Sequence, residues 1–284
     1  MILVTGAGGN VGTALVEAMK ARGHKFRAGH HSSEKAAKAR RDGYDVVQLD
    51  FAAPQTLAPA FAGVETLFLL GTGVRGQIEQ ETNVVNAAKA VGVKRLVKQS
   101  VWGAAREQYS LAKMHRAIER AVEASGIAWT FLRPNGFMQN FADDMAGPIK
   151  EKGAIFQPAG DAKISHIDVR DIARVAERVL TTPGHEGKAY ELSGPEALSY
   201  DDAAGILSRV LGKKVTYTAL TDEAARAGMR AAGLPDFYAD TIVDLFRAYR
   251  DGIASQVTAE VKRITGRPPI AFEQFARDHA AQFR

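Results

Sequence analysis

Short apolar runs at residues 2–5, 25–30, 45–49, 66–70, 95–99 and 128–133 alternate with longer stretches, at 12–22, 33–42, 77–91 and 110–125, in which apolar residues recur every three or four positions. The first kind fits strands buried on both faces, and the second fits amphipathic helices laid against them. Gly23, Gly43, Gly92 and Gly126 stand at the ends of the helical stretches, where the chain must leave the helix. This alternation predicts an α/β fold of the Rossmann type, a doubly wound parallel sheet.

After residue 133 the alternation weakens. A strand at 163–166, a helix at 168–180 and a strand at 188–192 are expected to rejoin the sheet at its far edge. Residues 199–211 and 235–252 read as helices around a short strand at 214–217. The predicted organisation is a Rossmann domain of residues 1–133, to which 163–195 returns, and a smaller, mainly helical C-terminal substrate lobe made of 134–162 and 196–284.

The run Val4-Thr5-Gly6-Ala7-Gly8-Gly9-Asn10-Val11-Gly12 follows the first strand and opens the first helix, the context a dinucleotide-binding loop requires. Gly6 suits the sharp turn, Gly9 a close approach of the backbone to a pyrophosphate, and Gly12 a close approach of helix to strand. The amides of Gly8, Gly9, Asn10 and Val11 at the helix start would face the phosphates.

At the end of the second strand, where a carboxylate would hold an unphosphorylated ribose, the chain has His30-His31-Ser32-Ser33. His31 and Ser32 are suited to a 2′-phosphate, so NADP(H) is the preferred cofactor expected, with NAD(H) also possible. Asp50 and Phe51 are placed to flank an adenine, or equally to cap a helix beside a core aromatic. Leu70, Gly71 and Thr72 would let the backbone pass the nicotinamide ribose, or form an ordinary loop.

Composition narrows the chemistry. There are no cysteines, so disulfides, a thiolate nucleophile and sulfur-ligated metals are excluded; no metal and no flavin are expected. His166, Asp168 and Asp171 look like a metal cluster, but Asp168 reads better as a helix cap and Asp171 as a first-turn charge. The net charge of +5 is spread among acidic residues and not gathered in a block. That pattern argues against nucleic acid as a partner, and no apolar stretch has the length of a membrane span. The first strand starts at Ile2, leaving no room for a signal peptide. A cytoplasmic protein acting on a small molecule is expected, with a homodimer as the default assembly.

The glycine loop, the segment Leu132-Arg133-Pro134-Asn135-Gly136-Phe137-Met138-Gln139-Asn140 and the segment His166-Ile167-Asp168-Val169-Arg170-Asp171-Ile172-Ala173 resemble the NmrA-like branch of the atypical short-chain dehydrogenase/reductases. Residues 188–192, 199–214 and 233–235 are similar to its NAD(P)H:quinone oxidoreductases and triphenylmethane dye reductases. The resemblance implies that Pro134, Asn135 and Phe137 lie beside the nicotinamide and that the segment through Asn140 lines a substrate pocket. It also implies an arginine where this chain has His31, a departure that leaves room for NAD(H).

Tyr109-Ser110-Leu111-Ala112-Lys113 matches the Y-x-x-x-K dyad of short-chain reductases, in which a phenol donates a proton to a carbonyl as hydride arrives and the lysine holds the nicotinamide ribose. Ser100 would be the third donor. NmrA-like reductases generally keep a basic residue at the Lys113 position without the tyrosine. His115 is expected to face elsewhere, on the surface. Three readings follow: an NADPH-preferring oxidoreductase that transfers hydride to a small flat electrophile such as a quinone; a carbonyl reductase using Ser100, Tyr109 and Lys113; or a non-catalytic NAD(P)-binding redox sensor. Phe137, Met138, Phe141, Trp102, Phe237 and Tyr238 are candidates for an apolar cleft.

Overall fold

The computed structural model describes residues 1–71 and 75–284. Its seven-stranded sheet is built from β1 (Ile2–Val4), β2 (Phe26–His30), β3 (Asp45–Gln48), β4 (Thr66–Leu69), β5 (Arg95–Gln99), β6 (Ala128–Pro134) and β8 (Lys188–Leu192), in the order β3-β2-β1-β4-β5-β6-β8 and parallel throughout. Successive residues of a strand point to opposite faces, and here both faces are covered. Val4, Phe68, Val97 and Leu132 pack with the helices Asn10–Ala21 and Val169–Thr181. Their neighbours Leu3, Leu67, Leu96 and Phe131 pack on the other face with the helices Gln77–Ala90 and Ser110–Ser125. This is the Rossmann-like α/β fold expected from the alternation, and its strand order reverses direction between β1 and β4.

The strand expected at 163–166 is not a regular strand. That segment is extended but pairs only through isolated bridges, Ile164 to Leu198 and Ile167 to Phe137. The strand that forms instead is β7 (Ala154–Gln157), paired in parallel with β9 (Thr216–Ala219) in a small second sheet. Its partner lies about sixty residues away, so no local hairpin signal marks it. Residues 222–231 and 272–278 add helices that the sequence reading left unassigned. A second apolar cluster, around Phe141, Tyr200, Phe246 and Phe272, sits beneath these C-terminal elements.

Helix starts carry their own stops and caps. Ser32 accepts from the Lys35 amide, Asp168 from Arg170, and Ser199 forms a reciprocal box with Asp202. The Asp168 carboxylate is thus engaged in capping, as the sequence suggested, and it also pairs with Arg170. No helix among the described residues is long and apolar enough to cross a membrane.

Candidate functional site

A cleft of about 970 Å³ lies over the C-terminal ends of β1 to β5, across the point where the strand order reverses. Open α/β sheets bind ligands at that place. Its floor is the glycine loop. Gly6 has a φ of +62°, in the left-handed region, and its carbonyl accepts from the Gly9 amide at 3.1 Å. At Gly12 a Cβ would stand 2.0 Å from the Gly6 carbonyl oxygen, so only glycine lets the first helix start this close to β1. At Gly9, the residue that caps the helix, a Cβ would meet nothing nearer than 3.6 Å. The space above the helix start is open, and it is edged by backbone amides and the positive end of the helix dipole. That is the shape and potential a pyrophosphate needs.

The structure brings most of the predicted residues to this cleft. Gly6, Gly8, Gly9, Asn10 and Val11 line it from the loop, His31 and Ser32 from the end of β2, and Asp50 and Phe51 from beyond β3. Leu70, Gly71 and Phe137 close its far side. Gly12 packs beneath the loop, and Thr72 lies outside the described residues. Asp50 accepts from the Ala52 amide at 2.9 Å and its other oxygen is 3.5 Å from His31 Nε2, so it organises its own turn at the cleft rim. Asn10 donates to Asp143 at 2.6 Å, tying the loop to the helix Gln139–Asp143.

Sequence reading missed Lys35. It lies in the first turn of the helix Ser33–Arg41 and reaches back over the glycine loop, where its ammonium donates to the Gly8 carbonyl at 3.3 Å and lines the cleft beside His31 and Ser32. A cation in a helix's first turn opposes the dipole, an arrangement that an anion at the same spot would offset. His30, half behind it, is pushed below the usual histidine range by burial and by the charges of Lys35 and Arg40. Lys35 thus sets a permanent positive charge at the same end of the cleft as His31 and Ser32.

A second cavity of about 330 Å³ adjoins the cleft and shares Leu70, Gly71, Gln99, Phe137 and Asn140 with it. Trp102, Leu111 and Leu245 give it apolar walls and Tyr249 an aromatic one with a hydroxyl; Gln77, Ser100, His115, Pro134 and Asn135 are also in its lining. Asn135 is turned into the protein, donating to Ser165 Oγ at 2.9 Å and the Ala254 carbonyl at 2.8 Å. It holds the Pro134–Phe137 turn in place and offers the cavity no free hydrogen-bonding group. Of the expected aromatics, Phe137 and Trp102 line the cavity and Tyr238 the larger cleft. Met138 and Phe141 are core, and Phe237 is exposed.

Tyr109 and Lys113 are not brought to either space. Tyr109 caps its helix in an extended conformation (φ −142°, ψ 162°), so the helical geometry that would stack it over Lys113 does not reach it. Its ring is buried and its hydroxyl donates to the Trp102 carbonyl at 2.5 Å; burial and the neighbouring Tyr249 and Glu191 hold the phenol well above its ordinary range. Lys113 lies on the exposed side of the helix. His115, expected at the surface, is buried on the apolar stripe Ala112, His115, Ile118, Val122 that faces the sheet. Burial and the charge of Lys98 keep its imidazole far below the normal histidine pKa. Of the dyad-type triad, only Ser100 touches the cavity.

A Rossmann-like sheet with a glycine-floored cleft at its reversal point and a second cavity sharing its far wall defines the dinucleotide-fold class of protein. Within that class the chain belongs to the NmrA-like family, whose match spans residues 1–265. It is 37% identical to NAD(P)H azoreductase of Xenophilus azovorans over 100% of this chain and 99% of that protein. It is 35% identical to quinone oxidoreductase 2 of Escherichia coli K12 over 86% of each. Among solved structures, NADPH-dependent quinone oxidoreductase from Escherichia coli complexed with NADPH superimposes with a TM-score of 0.90 at 32% identity, covering 100% of both chains. Triphenylmethane reductase from Citrobacter sp. complexed with NADP(H) gives a TM-score of 0.89 at 29% identity over 98% of this chain and 100% of that one.

Proposed function

We propose that the protein is an NADPH-preferring reductase that passes hydride to a small flat electrophile, a quinone in the first instance. The observation that carries this reading is the continuity of the two spaces. A cleft shaped for a dinucleotide ends at Leu70, Gly71, Gln99 and Phe137, and those same residues begin a cavity of ring size. A bound nicotinamide would supply the hydride across that shared wall. The azoreductase, quinone oxidoreductase and dye reductase names of the relatives support the same acceptor class.

The chain's own residues divide the work. The loop from Gly6 to Gly12 and the amides at the helix start hold the pyrophosphate, while Lys35, Ser32 and His31 face the 2′-phosphate. Pro134, Asn135 and Phe137 fix the wall between cofactor and acceptor. Residues 134–162 and 196–284 act as the lobe that covers the acceptor, excluding water by the packing of Leu245 and Tyr249 over the cavity. Conjugated acceptors need little more than this positioning, since the electron pair is taken up by the acceptor's own π-system.

Two rival readings lose ground on specific observations. A carbonyl reductase built on the Tyr109–Lys113 pair needs both side chains at the cavity; the Tyr109 hydroxyl is spent on Trp102, and neither residue lines it. A redox sensor has no use for an acceptor cavity beside the nicotinamide end. The deciding experiment is fluorescence titration with NADPH and NADH, followed by the decay of absorbance at 340 nm with quinones, triarylmethane dyes and simple ketones. Preferential NADPH binding with quinone turnover is the expected result; tight binding with no turnover on any acceptor would favour the sensor.

A further inference from the structure

The buried polar atoms Gln99 Oε1, Ser100 Oγ and His115 Nδ1 have no hydrogen-bond partner among the described residues. All three side chains line the 330 Å³ cavity, and all are at least nine-tenths buried. Unmatched buried polar atoms are costly, and proteins keep few of them. Three of the five found among the described residues meet at this one wall. Ser100 also neighbours the Glu119 carboxylate, which Arg133 engages at 2.9 and 2.7 Å, and it helps hold that carboxyl below its ordinary range. Of the other lining residues, Trp102, Leu111 and Leu245 are apolar, and Tyr249 brings an aromatic ring with a hydroxyl. The cavity thus combines flat apolar walls with a few polar groups, at the small end of the range for ligand pockets.

We propose that the donors among these groups, His115 with Ser100 beside it, hydrogen-bond the acceptor's carbonyl oxygen and so select one- or two-ring quinones. The proposal rests on the reductase reading above. In the step it serves, a hydride with its electron pair adds to the quinone, and the excess charge settles on the carbonyl oxygen. The dihydronicotinamide is oxidised, the quinone becomes a hydroquinone anion, and a proton from solvent completes the hydroquinone. Donors aimed at the oxygen where charge develops favour that step. His115 acts as a neutral imidazole, offering one N–H without delivering its own charge; the Lys98 ammonium behind it discourages a second proton.

The test compares acceptors that differ in where charge goes. Hydride transfer to 1,4-naphthoquinone places charge on oxygen, whereas transfer to the cationic dye crystal violet removes charge from carbon and creates no oxyanion. His115→Leu is expected to lower kcat/KM for naphthoquinone by about 10- to 100-fold, to leave crystal violet within about twofold, and to leave NADPH affinity unchanged. Ser100→Ala should shift the same ratio in the same direction, and His115→Asn, which keeps a donor, should recover part of the quinone rate. Independently of turnover, binding of 4-nitrophenolate, read from its absorbance, should weaken about tenfold in His115→Leu. Equal losses on both acceptors, no loss on the quinone, or unchanged 4-nitrophenolate affinity would overturn the proposal. If the unmodified protein binds NADPH but reduces neither acceptor, the reductase reading itself fails, and this assignment falls with it.

Discussion

Lys98 Nζ lies 2.5 Å from Glu81 Oε2 with both side chains wholly excluded from solvent, so an ion pair with no access to water ties strand β5 to the helix Gln77–Ala90. Gln77 donates to the other Glu81 oxygen at 2.5 Å, and the ammonium also donates to the Gln99 carbonyl at 3.1 Å. The pair lies directly behind both spaces of the site, since a Cβ on Gly71 would stand 2.3 Å from Glu81 Oε1. Removing one partner strands a buried charge. Glu81→Ala is therefore expected to cost about 3–5 kcal/mol in urea unfolding, while the double change Glu81→Leu with Lys98→Met recovers most of it.

Gly71 has no room for a side chain. Gly71→Ala must push Glu81 and Gln77 aside, destabilising the fold by about 1–3 kcal/mol, and it displaces the wall shared by cleft and cavity. Weaker NADPH binding together with a lower melting temperature is the expected outcome. A variant that loses stability alone would show that the wall does not touch the cofactor.

Lys35 is expected to separate the two nicotinamide cofactors. Lys35→Gln removes the ammonium that donates to the Gly8 carbonyl beside His31 and Ser32. NADPH affinity should drop about tenfold, the worth of a partly screened charge-assisted bond, with NADH unchanged. Fluorescence titration of both cofactors, repeated at higher salt, checks this. Equal losses for both would remove Lys35 from phosphate recognition.

Tyr109→Phe separates the structural role of that hydroxyl from catalysis. The substitution deletes one buried bond, to the Trp102 carbonyl, and is expected to cost about 1–2 kcal/mol of stability. Quinone turnover should stay within about twofold of the unmodified protein. A collapse of ketone or quinone reduction at unchanged stability would restore the phenol as a proton donor.

His166 is buried against Phe141 and Tyr200, and burial lowers its pKa to about 4. Between the ordinary histidine value and that point, the unfolded chain carries a proton that the folded protein refuses. Stability from this group is therefore present above about pH 6.5 and falls as pH drops toward 4, by up to about 3 kcal/mol. His166→Phe should flatten that part of the stability profile, measured by urea unfolding at pH 7, 6 and 5. An unchanged slope would mean that His166 takes up its proton without unfolding.

The sheet, its covering helices and the glycine loop were legible along the chain, because each is written in neighbouring residues. Apolar doublets such as Leu3-Val4 and Leu96-Val97 serve both faces of a strand, and Gly6, Gly9 and Gly12 meet their steric demands within a single turn. Which side chains share a space depended instead on how distant segments pack together. Tyr-x-x-x-Lys spacing fixes a relation along a helix; it does not fix whether the first residue has entered that helix, and Tyr109 has not. The rotation of Ser110–Ser125 is set by packing of Ala112, Ile118 and Val122 on the sheet, which carries His115 inward and Lys113 out. The spacing of His115 from those apolar residues was a legible signal of that burial. Its meeting with Ser100, Leu245 and Tyr249 was not, since those residues come from segments far apart in the chain, and neither was the reach of Lys35 over Gly8. Such contacts depend on how separate elements pack, which no local pattern records.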